Sequence, residues 1–426
     1  MCLSSKFTII PGPKIRRDRI TPVRLPLSPH LWNTLEGHTL DADKYLLCSV
    51  TFPVISLTLS PGVLQARTFP HLTSFHCDLP LDAQLWVMMA GFAHLEAVKI
   101  AVPSLKNQAA TASSTSILMS SLAAQGSQPF RTLHTANFLV SSAAAMSTFL
   151  KVAKLPALKV LVVCFTEGET PSEVDVSTLC NTIADQMNHT TLTRIQLLSL
   201  AASKVSEWDE EKAVKSDVLK PLAAFSTMLQ FDVSLPWFIK FDDALLRTLA
   251  AAWPKLQHIN FGLSVPWSSP VQVTLRGLEI LAVNCPSLQH IATRIHWDDE
   301  HNDGIDDATL PAAGRSAPLV SKLSFGNSII TSWECVALFL SSLFPNVEVI
   351  EAWKKKEGTV KDGSDSDSDA GLDDEEQDSK YMWADIVKTV PLLAAVRAQE
   401  QRILMSGPGN VEGAVSLAKP DTTNPH

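Results

Sequence analysis

The chain has 426 residues, 46% of them hydrophobic, so it can bury a core and has room for several domains or one long repeat array. The nine acids of residues 362–379, a stretch without Lys or Arg, account for its whole net charge of −9. The remaining body is neutral and lacks the basic field that phosphate neutralisation needs, which disfavours general nucleic-acid binding. Seven scattered cysteines without a C-x-x-C pair suit a reducing compartment rather than a disulfide framework.

From the N-terminus, MCLSSKFTIIPGPKIRRDRI carries its basic cluster behind the apolar part, the wrong order for a secretory signal. No run of 18 apolar residues exists anywhere, so no membrane span is expected and the protein is placed in the cytoplasm or nucleus. Residues 1–50 read as a partly irregular segment, and TFPVISLTL just beyond them as the strand that caps a repeat array.

Residues 51–355 carry an internal repeat. Ten segments, FPHLTSFHC, FAHLEAVKI, QPFRTLHT, LPALKVLVV, TTLTRIQLL, STMLQFDV, WPKLQHINF, CPSLQHIAT, APLVSKLSF and FPNVEVIEA, share the form L-x-x-L-x-L. Their first anchors are Leu72, Leu95, Phe130, Leu158, Leu192, Met228, Leu256, Leu288, Val320 and Val347, between 23 and 36 residues apart. The fifth position after the anchor is hydrophobic in eight of the ten, and proline stands two before it in six. Proline lacks an N–H and disfavours α geometry in the residue before it, so it ends one helix and releases an extended segment. Side chains three and five after the anchor then share one strand face, while those two and four after it share the other. Between strands, DDALLRTLAAAW has Asp242 as N-cap and Leu245, Leu246, Leu249 and Trp253 on one face, and TLRGLEILAVNC and TSWECVALFLSSLF repeat the design with Thr274 and Thr331 as caps. One strand and one helix cannot bury their apolar faces alone, so the units must stack into an α/β solenoid, a horseshoe with parallel strands on its concave face and helices on its convex face. An ordinary α/β domain would also alternate strands and helices, but proline recurring at one register is not a general property of such domains, and no phosphate-cradling glycine loop is present.

The outward positions nominate a protein-binding face: His76, Lys99, His134, Asp232, Asn260 and Glu351 four after the anchor, and Arg194, His258, His290 and Lys322 two after it. This mixed polar surface suits a protein or peptide better than a metabolite. Trp237, Trp267 and Trp297 recur at intervals of 30 residues and suggest either an aromatic binding ledge or a ladder sealing the turns. HWDDEH, with His296, Asp298, Asp299, Glu300 and His301, lacks metal-ligand spacing, so no metal or cofactor is expected. Cys164, Cys285 and Cys335 read as core residues, and no nucleophile, base and orienting group assemble from recognisable spacing, so the chain is read as a non-enzyme. Residues 356–380 form an acidic insertion too charged to pack, in which Ser364 and Ser366 each have an acid three residues on, the environment of acidophilic kinases. A helix over 381–405 closes the array, and 406–426 reads as a disordered tail.

The combination of FPHLTSF, LPALKVL, DDALLRTLAAAWPKLQHI, GLEILAVNCPSLQHI, LSFGNSII and FLSSLFPNVEVIEAW resembles the leucine-rich-repeat proteins of mushroom-forming (basidiomycete) fungi, many of which carry an N-terminal F-box. The resemblance implies substrate recognition for a cullin-type ubiquitin ligase, with repeats holding the substrate and an F-box holding the adaptor. The F-box pattern is met only in fragments, at Leu25-Pro26, Leu31, Trp32, Leu35, Asp43, Leu46, Leu47 and Cys48, so the F-box is expected to be absent or degenerate, or to lie upstream of Met1. The expected partners are therefore a protein substrate or peptide and a cullin-ligase adaptor, with the chain monomeric on its own. The alternative is a free-standing repeat module whose acidic loop binds basic partners such as histones.

Overall fold

A computed structural model of the chain describes residues 48–51, 56–59, 72–80, 89–102, 130–166, 172–199, 213–235, 239–262, 272–297, 314–353 and 374–406. The strands of its first half are β1 (Cys48–Thr51), β2 (Ser56–Leu59), β3 (Ser74–Pro80), β4 (Ala97–Ala101), β5 (Thr135–Val140), β6 (Val160–Phe165), β7 (Arg194–Ser199) and β8 (Val214–Lys215). Those of the second half are β9 (Gln230–Ser234), β10 (Ile239–Lys240), β11 (His258–Asn260), β12 (His290–Ala292), β13 (His296–Trp297), β14 (Lys322–Gly326), β15 (Ile329–Ile330) and β16 (Val349–Ala352). The helices are α1 (Ala143–Val152), α2 (Glu173–Gln186), α3 (Asp243–Ala252), α4 (Leu275–Asn284), α5 (Trp333–Leu343) and α6 (Asp374–Ser406). The chain is thus α/β, with a mostly parallel sheet.

Twelve strands form one sheet in the order β16-β14-β12-β11-β9-β7-β6-β5-β4-β3-β1-β2. Every pairing from β3 to β16 is parallel, and each of the ten sequence segments supplies one of these strands. One hydrogen-bond motif recurs at every step. The carbonyl of the residue just after an anchor accepts two N–H groups from the next repeat: Thr73 from Glu96 and Ala97, Gln257 from Gln289 and His290, Ser321 from Glu348 and Val349. This ladder leaves no freedom of register between neighbours.

The ladder corrects the third repeat. Thr135 pairs with Ala97 and Val160, each two residues after its anchor, so the third anchor is Leu133 and not Phe130. Phe130 instead holds the place three before the anchor, where Leu155, Phe225, Trp253 and Phe344 stand in other repeats, and its carbonyl accepts the Leu133 N–H as theirs accept from Leu158, Met228, Leu256 and Val347. Both residues are buried, which is why sequence alone permitted either register.

The core lies between the sheet and the helices. All ten anchors, with Leu133 as the third, are buried, as are Phe75, Val98, Ala136, Leu161, Ile195, Phe231, Ile259, Ile291, Leu323 and Ile350 three residues on. Ser142, Ser172, Asp242 and Thr274 cap α1 to α4, with Asp242 accepting from Leu245 N–H at 2.7 Å. At α5 the cap is Ser332 rather than the expected Thr331, whose hydroxyl instead reaches the Trp297 carbonyl of the neighbouring repeat at 3.5 Å. The connection between β7 and β9 includes β8 and a 3₁₀ helix, Ser216–Ala224, with Pro221 inside it.

Adjacent helices interlock. Asp243 of α3 accepts from both the N–H (3.0 Å) and hydroxyl (2.6 Å) of Thr274, the cap of α4. One turn along, a Cβ on Gly277 would press into the Asp243 carboxylate and lie 2.8 Å from Leu246 Cδ1.

At the N-terminal edge, the strand expected from TFPVISLTL is β2, but it does not stack directly on the repeats: it pairs antiparallel with β1, and β1 pairs antiparallel with β3. At the other end, α6 begins at Asp374, earlier than the expected 381 and inside the segment 356–380. Trp383, Ile386, Val390 and Ala394, at helical spacing, bury one of its faces. Trp383 stacks on Phe325 (4.8 Å between centroids) and donates its Nε1–H to the Ser328 carbonyl at 2.9 Å, while Ser379 Oγ bridges both backbone groups of Ile330. Residues 354–373, with Ser364 and Ser366, and 407–426 lie outside the described residues.

Candidate binding face

Two side-chain columns run across the face of the sheet turned away from the helices. The column two after the anchor reads Ser74, Ala97, Thr135, Val160, Arg194, Gln230, His258, His290, Lys322 and Val349, each the Cα partner of the next. The column four after it reads His76, Lys99, Asn137, Val162, Gln196, Asp232, Asn260, Ala292, Ser324 and Glu351. Nine of the ten nominated residues stand in these columns. His134 does not: the corrected register puts it one after the anchor, where its carbonyl accepts from Lys159 and Val160. Its place in the column belongs to Asn137, whose Oδ1 is buried without a hydrogen-bond partner. Matching Phe130 to the large apolar residues three before other anchors, Phe92, Leu155, Phe225, Trp253 and Phe344, would have found it.

The second column is hydrogen-bonded within itself. Asp232 accepts from Asn260 Nδ2 at 3.1 Å and Gln196 Nε2 at 3.4 Å, and Asn260 Oδ1 in turn accepts the Gly262 N–H. Burial raises the Asp232 carboxyl above its ordinary pKa, and these two amide donors partly oppose the rise. Glu351 accepts from Ser324 Oγ at 3.2 Å and pairs with Lys322 Nζ at 3.2 Å.

The first column is different. The rings of His258 and His290 sit edge to face with centroids 6.2 Å apart, and His290 Nε2 is buried without a partner. Burial lowers the pKa of both histidines; Arg194 adds to this at His258, and Lys322 and His258 add to it at His290, with Glu351 opposing.

Further along the strands, Ala101, Leu139, Val162 and Cys164 form a small apolar cluster of their own, with Val160 and Leu198 against it. Cys164 is buried, as the sequence reading has it, but six residues after its anchor it belongs to this cluster on the opposite face, where burial raises its thiol pKa and Lys99 opposes the rise. Cys285 is buried in the core, and burial pushes it and Cys180 up to about 12, so neither thiol is set up as a nucleophile.

Trp297 is buried and its strand β13 pairs with β15, so at this position a binding ledge is excluded; Trp237 and Trp267 lie outside the described residues. So do Asp298, Asp299, Glu300 and His301, whereas His296 lies on β13. Among the described residues, no three His, Cys, Asp or Glu side chains gather where they could hold a metal ion, and no helix is long and apolar enough to cross a membrane.

No protein-family model matches the chain, and no curated protein matches it. Among solved structures it is similar to a chain in a yeast crystal structure of a Rad7 and Elc1 complex, at 13% identity and a TM-score of 0.33, over 69% of this chain and 73% of that one.

Proposed function

We propose that the protein is a non-enzymatic protein-binding scaffold: a leucine-rich-repeat solenoid whose concave strand face holds a protein or peptide. One observation carries this reading. Ten parallel strands in fixed register set out two columns of mostly polar, partly exposed side chains on the face without helices. A face of this shape and polarity suits an extended partner. The sequence resemblance to fungal leucine-rich-repeat proteins supports a narrower role, as an F-box-like substrate-recognition protein of a cullin-type ubiquitin ligase or a derivative that lost its F-box.

Site-specific photo-cross-linking tests the scaffold. Cross-linkers at Gln196 and Gln230 on the strand face are expected to capture the same protein, while those at the exposed Arg247 and Arg276 of α3 and α4 do not. Equal capture from both sides, or capture from the helix side alone, would overturn the reading. Co-purification of a cullin adaptor subunit with the full chain tests the ligase role separately; its absence would leave a scaffold outside that system.

A further inference from the structure

The two columns differ in how their polar groups are used. In the second, each acid has its partners: Asp232 takes two amide donors, and Glu351 takes Ser324 and Lys322. In the first, Arg194, Gln230, His258 and His290 are successive Cα partners on β7, β9, β11 and β12, and among the described residues their side chains make no hydrogen bond or ion pair. Lys322 on β14 continues the row. Five adjacent strands thus present a line of donors and cations, containing no acid, over about 19 Å at about 4.8 Å per strand.

We propose that this row is a subsite for an acidic peptide, bound extended across β7 to β14 with carboxylates seated over His258 and His290. The inference rests on the strand face being the binding surface. Two features favour this occupant. Alternate side chains of an extended peptide stand about 6.7 Å apart, close to the 6.2 Å between the two imidazole centroids, so a Glu-x-Glu unit places one carboxylate at each ring. Arg194, two strands from His258 and without an ion pair among the described residues, supplies the attractive field, while Lys322 next to His290 is paired with Glu351. A cation is a poorer occupant, because Arg194 repels it.

Binding is then linked to protonation. The charged and titratable groups facing the pair are Arg194 on β7, Asp232 on β9, Lys322 on β14 and Glu351 on β16. Burial first, and then the neighbouring cations, outweigh the opposing Glu351 charge, so both empty imidazoles have a pKa below the ordinary value. A carboxylate over each ring favours its protonated form, so the bound protein takes up protons and affinity rises as pH falls through the histidine range.

The test is fluorescence anisotropy with the full chain and a labelled peptide of alternating Glu and Thr, against one of alternating Lys and Thr. Only the Glu peptide is expected to bind, with Kd tightening roughly threefold or more between pH 7.5 and 6.0. Arg194→Glu is expected to weaken binding about tenfold, and His258→Asn with His290→Asn to remove the pH dependence. These side chains are partly or fully exposed, and unchanged circular dichroism of each variant keeps folding out of the readout. Failure of the Glu peptide to bind, equal binding of the Lys peptide, or indifference to these variants would overturn the proposal. If the Gln230 cross-linker still captures a protein, the scaffold stands and only its ligand chemistry falls; if it captures none, the scaffold falls as well.

Discussion

Gly277 offers a substitution whose sign depends on how closely adjacent repeats pack. In an isolated helix, Gly→Ala stabilises by about 1 kcal/mol. Here the added methyl would press into the Asp243 carboxylate and lie 2.8 Å from Leu246 Cδ1, on the facing helix. Overpacking of this kind costs about 1–3 kcal/mol. Displacing the carboxylate also strains its bonds to the Thr274 N–H and hydroxyl, which cap α4, at about 1–2 kcal/mol. The net expectation for Gly277→Ala is a loss of about 2 kcal/mol, opposite in sign to the helix propensity. Urea unfolding of Gly277→Ala, Asp243→Ala and the double variant measures it. With the carboxylate gone and the Leu246 tip able to rotate, Gly277→Ala should cost much less in the Asp243→Ala background, a coupling of about 1 kcal/mol or more. A stabilising Gly277→Ala, or additive effects, would refute the interlocked packing of α3 against α4.

Trp383→Ala should destabilise by about 3–5 kcal/mol and release α6 to proteolysis, since it removes the stack on Phe325 and one of the two indole donors to the Ser328 carbonyl; unchanged protection of α6 would contradict its packing against the last strands. The folded-state pKa of His258 and His290 lies below the ordinary 6.5, so the unfolded chain binds more protons between the two values, and stability in the absence of ligand falls as pH drops below about 6.5. Thermal melts at pH 7.5 and 5.5 should show this drop, reduced in His258→Asn with His290→Asn; an equal drop in the variant would contradict it. Cys180 and Cys285, pushed up to about 12, should resist a thiol reagent at pH 8 until the protein is unfolded, and prompt labelling of the native chain would show that their burial is wrong.

How much the sequence reveals is set by what the core demands. Positions three and five after each anchor are nearly all buried, and proline ends the preceding helix, so the repeat was legible wherever a single residue could serve as anchor. At QPFRTLHT two residues could, Phe130 and Leu133, and only the strand pairing separates them; this displaced His134 and hid Asn137. The shift from Thr331 to Ser332 has the same origin, because the Thr331 hydroxyl is engaged by the neighbouring repeat, a contact distant in sequence. Trp297 looked like one of a regular series, yet β13 pairs it into the core, since spacing along the chain does not say which face a tryptophan takes. The early start of α6, at Asp374, falls within the acid-rich stretch, whose charge density hides the helical pattern in the sequence. The contrast between the engaged acids of the second column and the uncommitted Arg194, Gln230, His258 and His290 of the first is not legible in the sequence, because it depends on cross-strand hydrogen bonds.

The stacking itself is tested most directly by paired cysteines across the sheet. Gln230→Cys with His258→Cys, and His290→Cys with Lys322→Cys, join Cα partners on adjacent strands, whereas Gln230→Cys with Lys322→Cys spans three strand spacings, about 14 Å. Under mild oxidation, with mass-spectrometric mapping to set aside the native thiols, the two adjacent pairs should form disulfides within one chain and the distant pair should not. Bonding of the distant pair, or failure of both adjacent ones in a folded chain, would contradict the ordered ladder on which the binding face depends.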